Sequence, residues 1–349
     1  MKTNKMTIKE KDIKLFLTRA GWASATRTPL AVDASFRNYQ RLTKDGTTAI
    51  LMLAPPKKEG TEPFIAIDKY LLASGFSVPA IKAMDTKTGL LILEDFGDKL
   101  LKTQMEESVD REFEYYSLAV ELLVTLQQSK PPLELTVTGE KIHKLPTYDN
   151  DLLMKEAALF NEWYLTKGLG VEPAEHEQSF EKVWGQIFKH LDKPSVLTLR
   201  DYHAENIMVL LERKHLKKIG LLDFQDAIIG HRAYDMVSLL QDARRVVSPE
   251  LEEKMIEHYL NLLDQKGFKI NRSLFRQEYN ILGAQRNAKI IGIFTRLWKR
   301  DKKNTYAKMT PHVWDMLERN LEHPNLKPLK TLLDKLVPTD QRQKPMKGQ

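Results

Sequence analysis

The sequence contains no cysteine among its 349 residues. Disulfides, thiolate catalysis, iron–sulfur ligation and cysteine-based zinc sites are therefore excluded, and the chain suits a reducing compartment. Long apolar runs are also lacking: no stretch approaches the roughly 20 apolar residues that span a bilayer, and residues 1–17 have no apolar core of the kind found in signal peptides. We therefore expect a water-soluble, cytoplasmic protein with no membrane partner.

Over most of the chain the positive and negative charges nearly cancel, so the net charge there is small. The net charge is +7, but residues 299–349 hold 12 Lys and Arg against 6 Asp and Glu, so residues 1–298 are nearly neutral. A basic end with few aromatic residues is more typical of a solvated surface than of a nucleic-acid platform. Length and composition therefore predict a globular protein of two packed units with no nucleic-acid partner.

Residues 30–96 predict an antiparallel sheet with one helix. Asp45-Gly46 lies between two β-prone runs and indicates a hairpin, because glycine accepts positive φ. A helix and two further short strands follow. Thr7 and Glu10 have the spacing of a capping box, which predicts an earlier helix that begins near Ile8. The predicted elements are the strands 38–42, 47–53, 80–84 and 90–93 and the helix 63–73.

After Gly97 the periodicity becomes mainly helical. Ser248-Pro249 and Thr310-Pro311 each predict a helix start, because a capping hydroxyl precedes a proline. Residues 339–349 are polar enough to predict a disordered tail. The other predicted elements are the helices 109–129, 151–166 and 176–191 and a small hairpin formed by 206–211 and 218–222.

Several common motifs of nucleotide, hydrolase and metalloprotease sites are missing: G-x-x-x-x-G-K-[ST], G-x-G-x-x-G, G-x-S-x-G and H-E-x-x-H. Asp201, Asn206 and Asp223 instead have the order and spacing of a kinase-type phosphotransferase site. In such sites an Asp faces the acceptor hydroxyl, while an Asn five positions later and the Asp of a D-F-x turn hold Mg²⁺ on the ATP phosphates. The alternative is that Asp201 and Asn206 cap turns and Asp223 ends a strand.

The runs L-R-D-Y-H-A-E-N (199–206) and L-L-D-F-Q-D-A-I-I-G-H-R-A-Y-D (221–235) resemble the aminoglycoside phosphotransferase-like branch of the protein-kinase fold. Within that branch the sequence is most similar to bacterial sugar kinases of cell-wall recycling, which phosphorylate the anomeric hydroxyl of N-acetylmuramate and N-acetylglucosamine. The supporting segments are 33–37, 54–56, 93–97, 241–245 and 284–287.

The resemblance implies an α+β fold of two lobes, with an N-lobe of antiparallel sheet plus helix and a mainly helical C-lobe. The implied parts are an N-lobe over 1–97 with its hinge at 93–97, a C-lobe over 98–338, a catalytic loop at 199–206, and a metal-binding turn at 223–226. In this scheme Asp201 is the catalytic residue, Asn206 and Asp223 are the metal ligands, and Asp235 supports the catalytic loop. A helix N-terminal charge is the structural alternative for Asp235.

Nucleotide binding is implied for two segments. The loop that contains Ser35, Phe36 and Arg37 would cover the phosphates, and the hinge that contains Glu94 and Phe96 would bind adenine through its backbone. The strand lysine of kinases is replaced by Met52, which cannot bind phosphate. We hypothesise that Arg37, with the Ser35 hydroxyl beside it, supplies the missing cation.

The sequence also suggests residues that bind the acceptor. Arg286 falls within an apolar helical stripe, so its guanidinium needs a partner, either an internal carboxylate or an anionic group of a ligand. Arg244, Arg245 and Asn287 are the further candidates. An arginine could bind the lactyl carboxylate of N-acetylmuramate in a bidentate manner.

The sequence therefore predicts a kinase that uses ATP and Mg²⁺ and transfers the γ-phosphoryl group to a small-molecule sugar. A kinase of another hydroxyl compound, such as an aminoglycoside or a choline-like alcohol, is the alternative within the same class. A nucleotide-binding pseudokinase or interaction module, motivated by Met52, is the alternative from another class.

Overall fold

The structure is a computed structural model that describes residues 8–30 and 36–346. The chain divides into two compact units, each built from three segments. Unit 1 comprises Met1–Val109, Pro132–Leu145 and Glu205–Ala227, and unit 2 comprises Asp110–Pro131, Pro146–Ala204 and Ile228–Gln349. This division differs from the single boundary expected after residue 97, because two later segments pack with the N-terminal sheet rather than with the helices.

The strands are short and the helices range from one turn to eight. The strands are β1 (Thr26–Pro29), β2 (Asn38–Lys44), β3 (Thr47–Leu53), β4 (Ile81–Asp85), β5 (Leu90–Leu93), β6 (Glu134–Thr138), β7 (Lys141–Lys144), β8 (Val196–Thr198), β9 (Ile207–Val209), β10 (Ile219–Leu221) and β11 (Ile228–Gly230). The helices are α1 (Glu10–Arg19), α2 (Glu62–Ala73), α3 (Leu101–Glu107), α4 (Glu112–Leu126), α5 (Asn150–Leu159), α6 (Glu177–Ile187), α7 (Arg232–Leu240), α8 (Pro249–Gln265), α9 (Arg272–Lys299), α10 (Asn304–Leu321), α11 (Lys327–Leu336) and α12 (Thr339–Arg342).

Unit 1 contains a five-stranded antiparallel sheet in the order β1-β2-β3-β5-β4. The predicted hairpin of β2 and β3 is confirmed, and Asp45 and Gly46 both have positive φ, 48° and 73°. The predicted helix and the two later strands correspond to α2, β4 and β5. β1 was not predicted, because four residues that end in Pro29 carry no alternating apolar pattern.

The core of unit 1 lies between α1 and the sheet. Alternate residues of β3, namely Ala49, Leu51 and Leu53, point to the same face and pack with Phe16 and Leu17 of α1. α1 begins at Glu10, and its N-cap Lys9 makes no side-chain capping bond. The Thr7 half of the predicted capping box lies outside the described residues.

Two hairpins complete unit 1. β9 pairs with β10 as predicted, with Ile207 opposite Leu221. β6 pairs with β7 and was not predicted. Bridges from Ser77 to Gly220 and from Leu100 to Met208 join the β9–β10 hairpin to the rest of the unit. The hairpin that follows the catalytic-loop sequence is therefore fixed to the sheet-bearing unit.

Unit 2 is organised around α9, which has 28 residues and is buried along most of its length. A π-helical segment, Phe160–Leu169, follows α5 and crosses α9 closely at Gly292. A Cβ atom at Gly292 would lie 2.3 Å from the carbonyl oxygen of Leu159. The absence of a side chain at Gly292 therefore permits this close helix crossing.

Helix starts in unit 2 were predicted with mixed success. Ser248 caps α8 by accepting the Leu251 N–H, as expected. The start predicted at Thr310-Pro311 is wrong, because Pro311 lies inside α10 and the Thr310 hydroxyl donates to the Tyr306 carbonyl of the same helix. Buried Val313 and Trp314 favour the continued helix despite the proline.

The disordered tail expected over 339–349 is described as far as residue 346, and that part differs from the expectation. Thr339–Arg342 form a short helix, and Arg342 is buried where it pairs with Glu318 and Asp334. Paired and hydrogen-bonded, this arginine can be buried despite its charge. Among residues 8–30 and 36–346, no helix combines the length and the apolar character needed to span a bilayer.

Candidate active site

The catalytic-loop sequence begins directly after β8. β8 pairs with β11, and Gly230 of β11 lies so close to Thr198 that a Cβ atom would be 2.4 Å from the threonine hydroxyl. Leu199 and Arg200 follow, and Arg200 adopts a left-handed conformation with φ of 73°. This turn places Asp201 at the end of a rigid strand pair, and strained residues of this kind occur often at functional sites.

Asp235, near the start of α7, holds this turn in unit 2. Its fully buried carboxylate accepts the N–H of Leu199 over 2.7 Å and that of Arg200 over 2.9 Å. Burial raises the pKa of Asp235 to about 7, although the two N–H bonds act in the opposite direction. Ser238 donates to the Arg200 carbonyl over 3.0 Å, so α7 binds both backbone groups of the strained residue.

Asp201 is partly exposed and lies in a group of cations within unit 2. Burial alone would raise the pKa of its carboxyl, but the surrounding positive charges outweigh that effect and lower the pKa. The groups that lower the pKa of Asp201 are, in decreasing order, Lys289, His203, Arg286 and Arg200. The Asp201 carboxyl is therefore ionised at neutral pH and can accept a hydrogen bond from a hydroxyl.

Glu156 of α5 anchors two of these cations. It forms ion pairs with Arg200 and with Lys289, the latter over 3.0 Å, and accepts a hydrogen bond from Tyr148. The pKa of Glu156 is lowered because Lys289 and Arg200 outweigh the cost of its burial. Both long side chains are thus held beside Asp201 rather than extended into solvent.

Asn206 and Asp223 meet in unit 1. The Leu222 N–H donates to the Asn206 carbonyl over 3.0 Å, which closes the β9–β10 hairpin and brings its two flanking residues together. The Asn206 side-chain amide lies 3.4 Å from Asp223 Oδ2, and Gln225 donates to Asp223 Oδ1 over 2.8 Å. Asp223 has a positive φ of 56°, the second strained position among these residues.

The donor chemistry of this pair fits Mg²⁺, which prefers hard oxygen ligands and is usually bound by one or two protein groups plus substrate phosphates. Asp223 is exposed, and Asn206 contributes an amide oxygen as well as its N–H. In the described part of the chain no group of three or more His, Asp or Glu side chains is arranged to hold a metal ion. A metal ion bound here would therefore need further ligands from the substrate phosphates.

The turn that carries Asp223 is packed against α2. The ring of Phe224 stacks on Phe64 with the centroids 5.0 Å apart, and both side chains are buried. Gln225 occupies the position of the glycine in the D-F-G sequence of kinases, and its amide fixes one carboxylate oxygen of Asp223. Aromatic stacking and the hydrogen bond from the Gln225 amide thus hold this turn in one orientation.

The proposed phosphate loop is described only from Phe36 onwards, so the prediction for Ser35 lies outside the described residues. Arg37 is buried and lies 3.5 Å from Glu59. Burial raises the pKa of Tyr39 to about 12, and the charges of Arg37, Asp223 and Glu59 all act on this tyrosine. Arg37 and Asp223 therefore both lie close enough to Tyr39, within unit 1, for their charges to act on it.

The residues near Arg37 in the sequence and across the sheet are Phe36 and Met52. Phe36 is exposed, and the Lys58 ammonium lies 5.0 Å from the centre of its ring. Met52, which replaces the strand lysine of kinases, is fully buried and pairs with Tyr39 across β2 and β3. β3 therefore contributes an apolar core residue where the corresponding strand of kinases contributes the cation. Arg37 lies two positions before Tyr39, the residue that pairs with Met52.

The side chains of the predicted hinge contact another residue of unit 1, Arg213. The Glu94 N–H donates to the Ala80 carbonyl over 2.9 Å, and Arg213 donates to the Glu94 carboxylate over 2.5 Å. The same guanidinium lies 5.1 Å from the ring centre of Phe96. Glu94 and Phe96 therefore hold the segment in shape, and their proposed contact with adenine stays a prediction.

The residues predicted to bind the acceptor differ in what they contact. Arg286 donates to the Ser238 hydroxyl over 2.9 Å and to the Gln241 carbonyl over 3.4 Å, and its charge acts on Asp201. Asn287 is fully buried and donates to the Gln241 side chain, which leaves it no direct access to a ligand from solvent. Arg245 forms an ion pair with Glu112 over 2.7 Å.

Several residues that the structure brings to Asp201 were not predicted from the sequence. Lys289 lies three positions after Arg286, on the same face of α9, and this spacing could have identified it. His203 and Asp242 lie inside the motif segments already noted, but no role was assigned to either. Glu156 had no sequence signal, because its contact with Arg200 joins residues 44 positions apart.

Comparison with known sequences gives a consistent result. A sequence profile of the phosphotransferase enzyme family matches residues 26–268. The chain belongs to this family. It is 34% identical to the N-acetylmuramate/N-acetylglucosamine kinase of Caulobacter vibrioides, an alignment that covers 94% of this chain and 96% of the relative. The kinase of the same name from Pseudomonas aeruginosa is 31% identical, with 90% and 91% covered.

Solved structures of phosphotransferases share the fold. A choline/ethanolamine kinase family protein from Mesorhizobium loti has a TM-score of 0.60 at 10% identity, and 93% of this chain and 97% of that chain are covered. An ADP-bound aminoglycoside phosphotransferase has a TM-score of 0.56 at 12% identity, with 89% and 97% covered. The family resemblance and the α+β, protein-kinase-like fold predicted from the sequence are thus confirmed.

Membership in the phosphotransferase enzyme family makes this protein an enzyme that transfers phosphoryl groups to an alcohol acceptor. The family also implies ATP as the donor.

Proposed function

We propose that this phosphotransferase transfers the γ-phosphoryl group of ATP to the anomeric hydroxyl of an N-acetylated amino sugar, N-acetylmuramate or N-acetylglucosamine, in the cytoplasm. The observation that carries the proposal is the 34% identity, over nearly the full length of both chains, to a kinase named for these two sugars. The cations around Asp201 support it, because they suit a neutral or anionic acceptor.

Asp201 is proposed to orient the acceptor hydroxyl. Its ionised carboxylate can accept the hydroxyl proton as a hydrogen bond, and a carboxylate with a lowered pKa is too weak a base to remove the proton early. Its main contribution is therefore alignment, with proton uptake late in the transfer. Asp235 and Ser238 keep the preceding residue in its left-handed conformation and so fix the position of Asp201.

Asn206 and Asp223 are proposed to hold Mg²⁺. When bound there, the ion would neutralise charge on the ATP phosphates. Gln225 and the Phe64–Phe224 stack serve this role by keeping the Asp223 carboxylate in place. We assign the metal site to these two residues because they meet at one end of a hairpin and offer oxygen ligands.

Arg37 is proposed to bind the ATP phosphates in place of the missing strand lysine. Its ion pair with Glu59 is the counterpart of the lysine–glutamate pair of kinases, with both partners moved to other positions in the sequence. Because a guanidinium is planar and stays charged, it can bind phosphate oxygens in a bidentate manner.

Phosphorus NMR of the reaction products tests the proposal directly. The purified protein is incubated with ATP, Mg²⁺ and each of N-acetylmuramate, N-acetylglucosamine, choline and an aminoglycoside. We expect ADP and a sugar 1-phosphate, with Asp201→Asn at least about 100-fold slower because alignment of the hydroxyl is lost. Phosphorylation of choline or the aminoglycoside alone would contradict the proposal, as would ATP binding without any turnover.

A cationic acceptor is disfavoured on electrostatic grounds. Lys289, Arg286 and Arg200 all act on Asp201, and an ammonium group placed beside them would be repelled. The likeness to choline kinases and aminoglycoside phosphotransferases is a likeness of fold at 10–12% identity.

A further inference from the structure

Glu156 is a buried acid of α5, and its two carboxylate oxygens have different partners within unit 2. One oxygen, Oε1, accepts a hydrogen bond from the Arg200 guanidinium. The other, Oε2, accepts the Tyr148 hydroxyl and lies 3.0 Å from the Lys289 ammonium. A single carboxylate therefore joins α5, α9 and the catalytic loop.

Arg200 is the partner that connects Glu156 with the reaction, because it directly precedes Asp201 in the loop. Its φ of 73° is unfavourable for a residue with a side chain, and such a conformation persists only where several contacts enforce it. Asp235 accepts the Arg200 N–H, and Ser238 donates to the Arg200 carbonyl, so these bonds hold the two peptide groups on either side of the residue. The bond from the guanidinium to Glu156 holds the side chain between them. Together the three contacts determine both backbone dihedral angles of Arg200.

The Glu156 carboxylate is itself held in place by the strand pair that carries the loop. The Tyr148 N–H donates to the Ile229 carbonyl over 2.8 Å, and the Ile229 N–H donates to the Pro146 carbonyl over 2.8 Å. Ile229 belongs to β11, which pairs with β8, and β8 leads into the loop. The Tyr148 hydroxyl donates to Glu156, and the centre of its ring lies 5.7 Å from the guanidinium carbon of Arg200. Acid and guanidinium are thus fixed to the same framework.

Helix α9 reaches Arg200 by two routes. Arg286 donates to the Ser238 hydroxyl over 2.9 Å, and that hydroxyl donates to the Arg200 carbonyl over 3.0 Å. Lys289, three positions further along α9, pairs with Glu156, which accepts the Arg200 guanidinium. The same helix therefore supports both the backbone and the side chain of Arg200.

Stability alone does not account for an ion pair at this place. Apolar side chains of similar volume often pack with equal or greater stability than a buried ion pair. What the pair of Glu156 and Arg200 adds is direction, because a guanidinium is planar and donates along fixed N–H axes.

We propose that Glu156 is a positioning residue for phosphoryl transfer, which fixes the direction of the Asp201 carboxylate by holding Arg200, the residue before it. This inference rests on the proposed function, in which Asp201 aligns the acceptor hydroxyl. Glu156 acts only through Arg200, so its removal should slow the transfer without weakening the binding of ATP or sugar.

A double-mutant cycle in kcat tests this role. Glu156→Gln, Arg200→Met and the double variant are compared with wild type at saturating ATP and acceptor, at a temperature where urea unfolding shows each protein to be folded. Glu278→Gln is the matched control, because Glu278 is 7% exposed against 8% for Glu156 and accepts the N–H of Asp192. The KM values for ATP and for the sugar are measured in every variant.

We expect Glu156→Gln to lose about 10- to 100-fold in kcat, because a small displacement of a reacting group causes losses of this size, and to keep both KM values within about threefold. The double variant should lose no more kcat than Arg200→Met, because both changes remove the same contact. A wild-type kcat in folded Glu156→Gln would overturn the proposal. Losses that multiply in the double variant, or an equal loss in Glu278→Gln, would also overturn it.

Glu156→Asp decides the question if Glu156→Gln does not fold. It keeps the negative charge between Arg200 and Lys289, but its shorter side chain withdraws the carboxylate from the guanidinium. A kcat about 10-fold lower than wild type would support the positioning role, and an unchanged kcat would overturn it.

The outcome for Glu156 is separable from the outcome for the proposed function. The acceptor in the cycle is the compound that the wild type phosphorylates, so a negative result for Glu156 leaves the sugar kinase standing. Turnover of choline alone would contradict the sugar acceptor, and the cycle with choline would still decide the role of Glu156. A wild type without activity towards any acceptor overturns both.

Discussion

Removing the Asp235 carboxylate should weaken folding and catalysis together. Two buried N–H groups, those of Leu199 and Arg200, donate to it over 2.7 and 2.9 Å. In Asp235→Ala neither has an acceptor, and each unsatisfied buried donor costs about 1–3 kcal/mol. We therefore expect the free energy of unfolding to fall by about 2–6 kcal/mol in Asp235→Ala, and by about 1–3 kcal/mol in Asp235→Asn, which keeps one acceptor oxygen.

The catalytic effect should exceed what stability alone explains. Because Arg200 then loses the bond that helps to hold its φ of 73°, Asp201 moves, and a displacement of about 1 Å at a reacting group costs about 100-fold in rate. Urea unfolding measures the first effect, and ADP release with saturating sugar measures kcat at a temperature where the variants are folded.

Glu278→Ala is the matched control for this prediction. Glu278 is also buried in unit 2, and it accepts a backbone N–H, that of Asp192, over 2.8 Å. This change should lower stability and leave the kcat of the folded protein unchanged. If Asp235→Ala lost no more kcat than Glu278→Ala, Asp235 would be a folding residue only, and the argument for its positioning role would be refuted.

Three further predictions concern other parts of the chain. Burial raises the pKa of Asp68 to about 7, above its unfolded value, so its stabilising contribution is complete below pH of about 4 and is lost as pH rises to about 7. Asp68→Asn should therefore be more stable than wild type at pH 8, by up to about 4 kcal/mol in urea unfolding, and no more stable near pH 4. Gly292→Ala should destabilise unit 2 by about 1–3 kcal/mol in thermal unfolding, because the new Cβ would lie 2.3 Å from a backbone oxygen. Arg37→Ala should raise the KM for ATP about 10- to 100-fold in steady-state kinetics and leave the KM for the sugar unchanged.

Each of these three predictions has a control in the chain. Asp110→Asn changes an exposed acid and should not alter the pH dependence of stability. Gly185→Ala adds a Cβ with nothing within 4 Å in α6, and should stabilise by about 0.5–1 kcal/mol through helix propensity. Lys57→Ala removes an exposed cation next to Lys58, whose ammonium lies 5.0 Å from the centre of the Phe36 ring. An equal rise in the KM for ATP in this variant would contradict the specific role of Arg37.

Local patterns were sufficient to predict most of the sheet-bearing unit. The Asp45-Gly46 turn needs positive φ, and alternation along β3 assigns its core face, so both hairpin strands could be located without tertiary information. Pro311 shows the opposite case. Its local signal favours a helix start, but burial of Val313 and Trp314 favours a continued helix, and that packing cannot be seen in a single sequence.

The site was predictable in proportion to how close its residues lie in the chain. Asp201, Asn206 and Asp223 occur within 23 residues and carry a motif. Lys289 could have been found only through its spacing from Arg286 on α9. Glu156 comes from α5 and reaches the loop only through the fold, so no spacing rule could relate it to Asp201.

The division of each unit into three segments restricts how this enzyme can be recombined with its relatives. A chimaera joined at residue 97 would combine the sheet of one parent with the 205–227 segment of another. The Phe64–Phe224 stack and the bond from Ser77 to the Lys217 carbonyl would then depend on two sequences that never evolved together. Exchange of acceptor preference between family members therefore requires that all three segments of unit 1 come from the same parent.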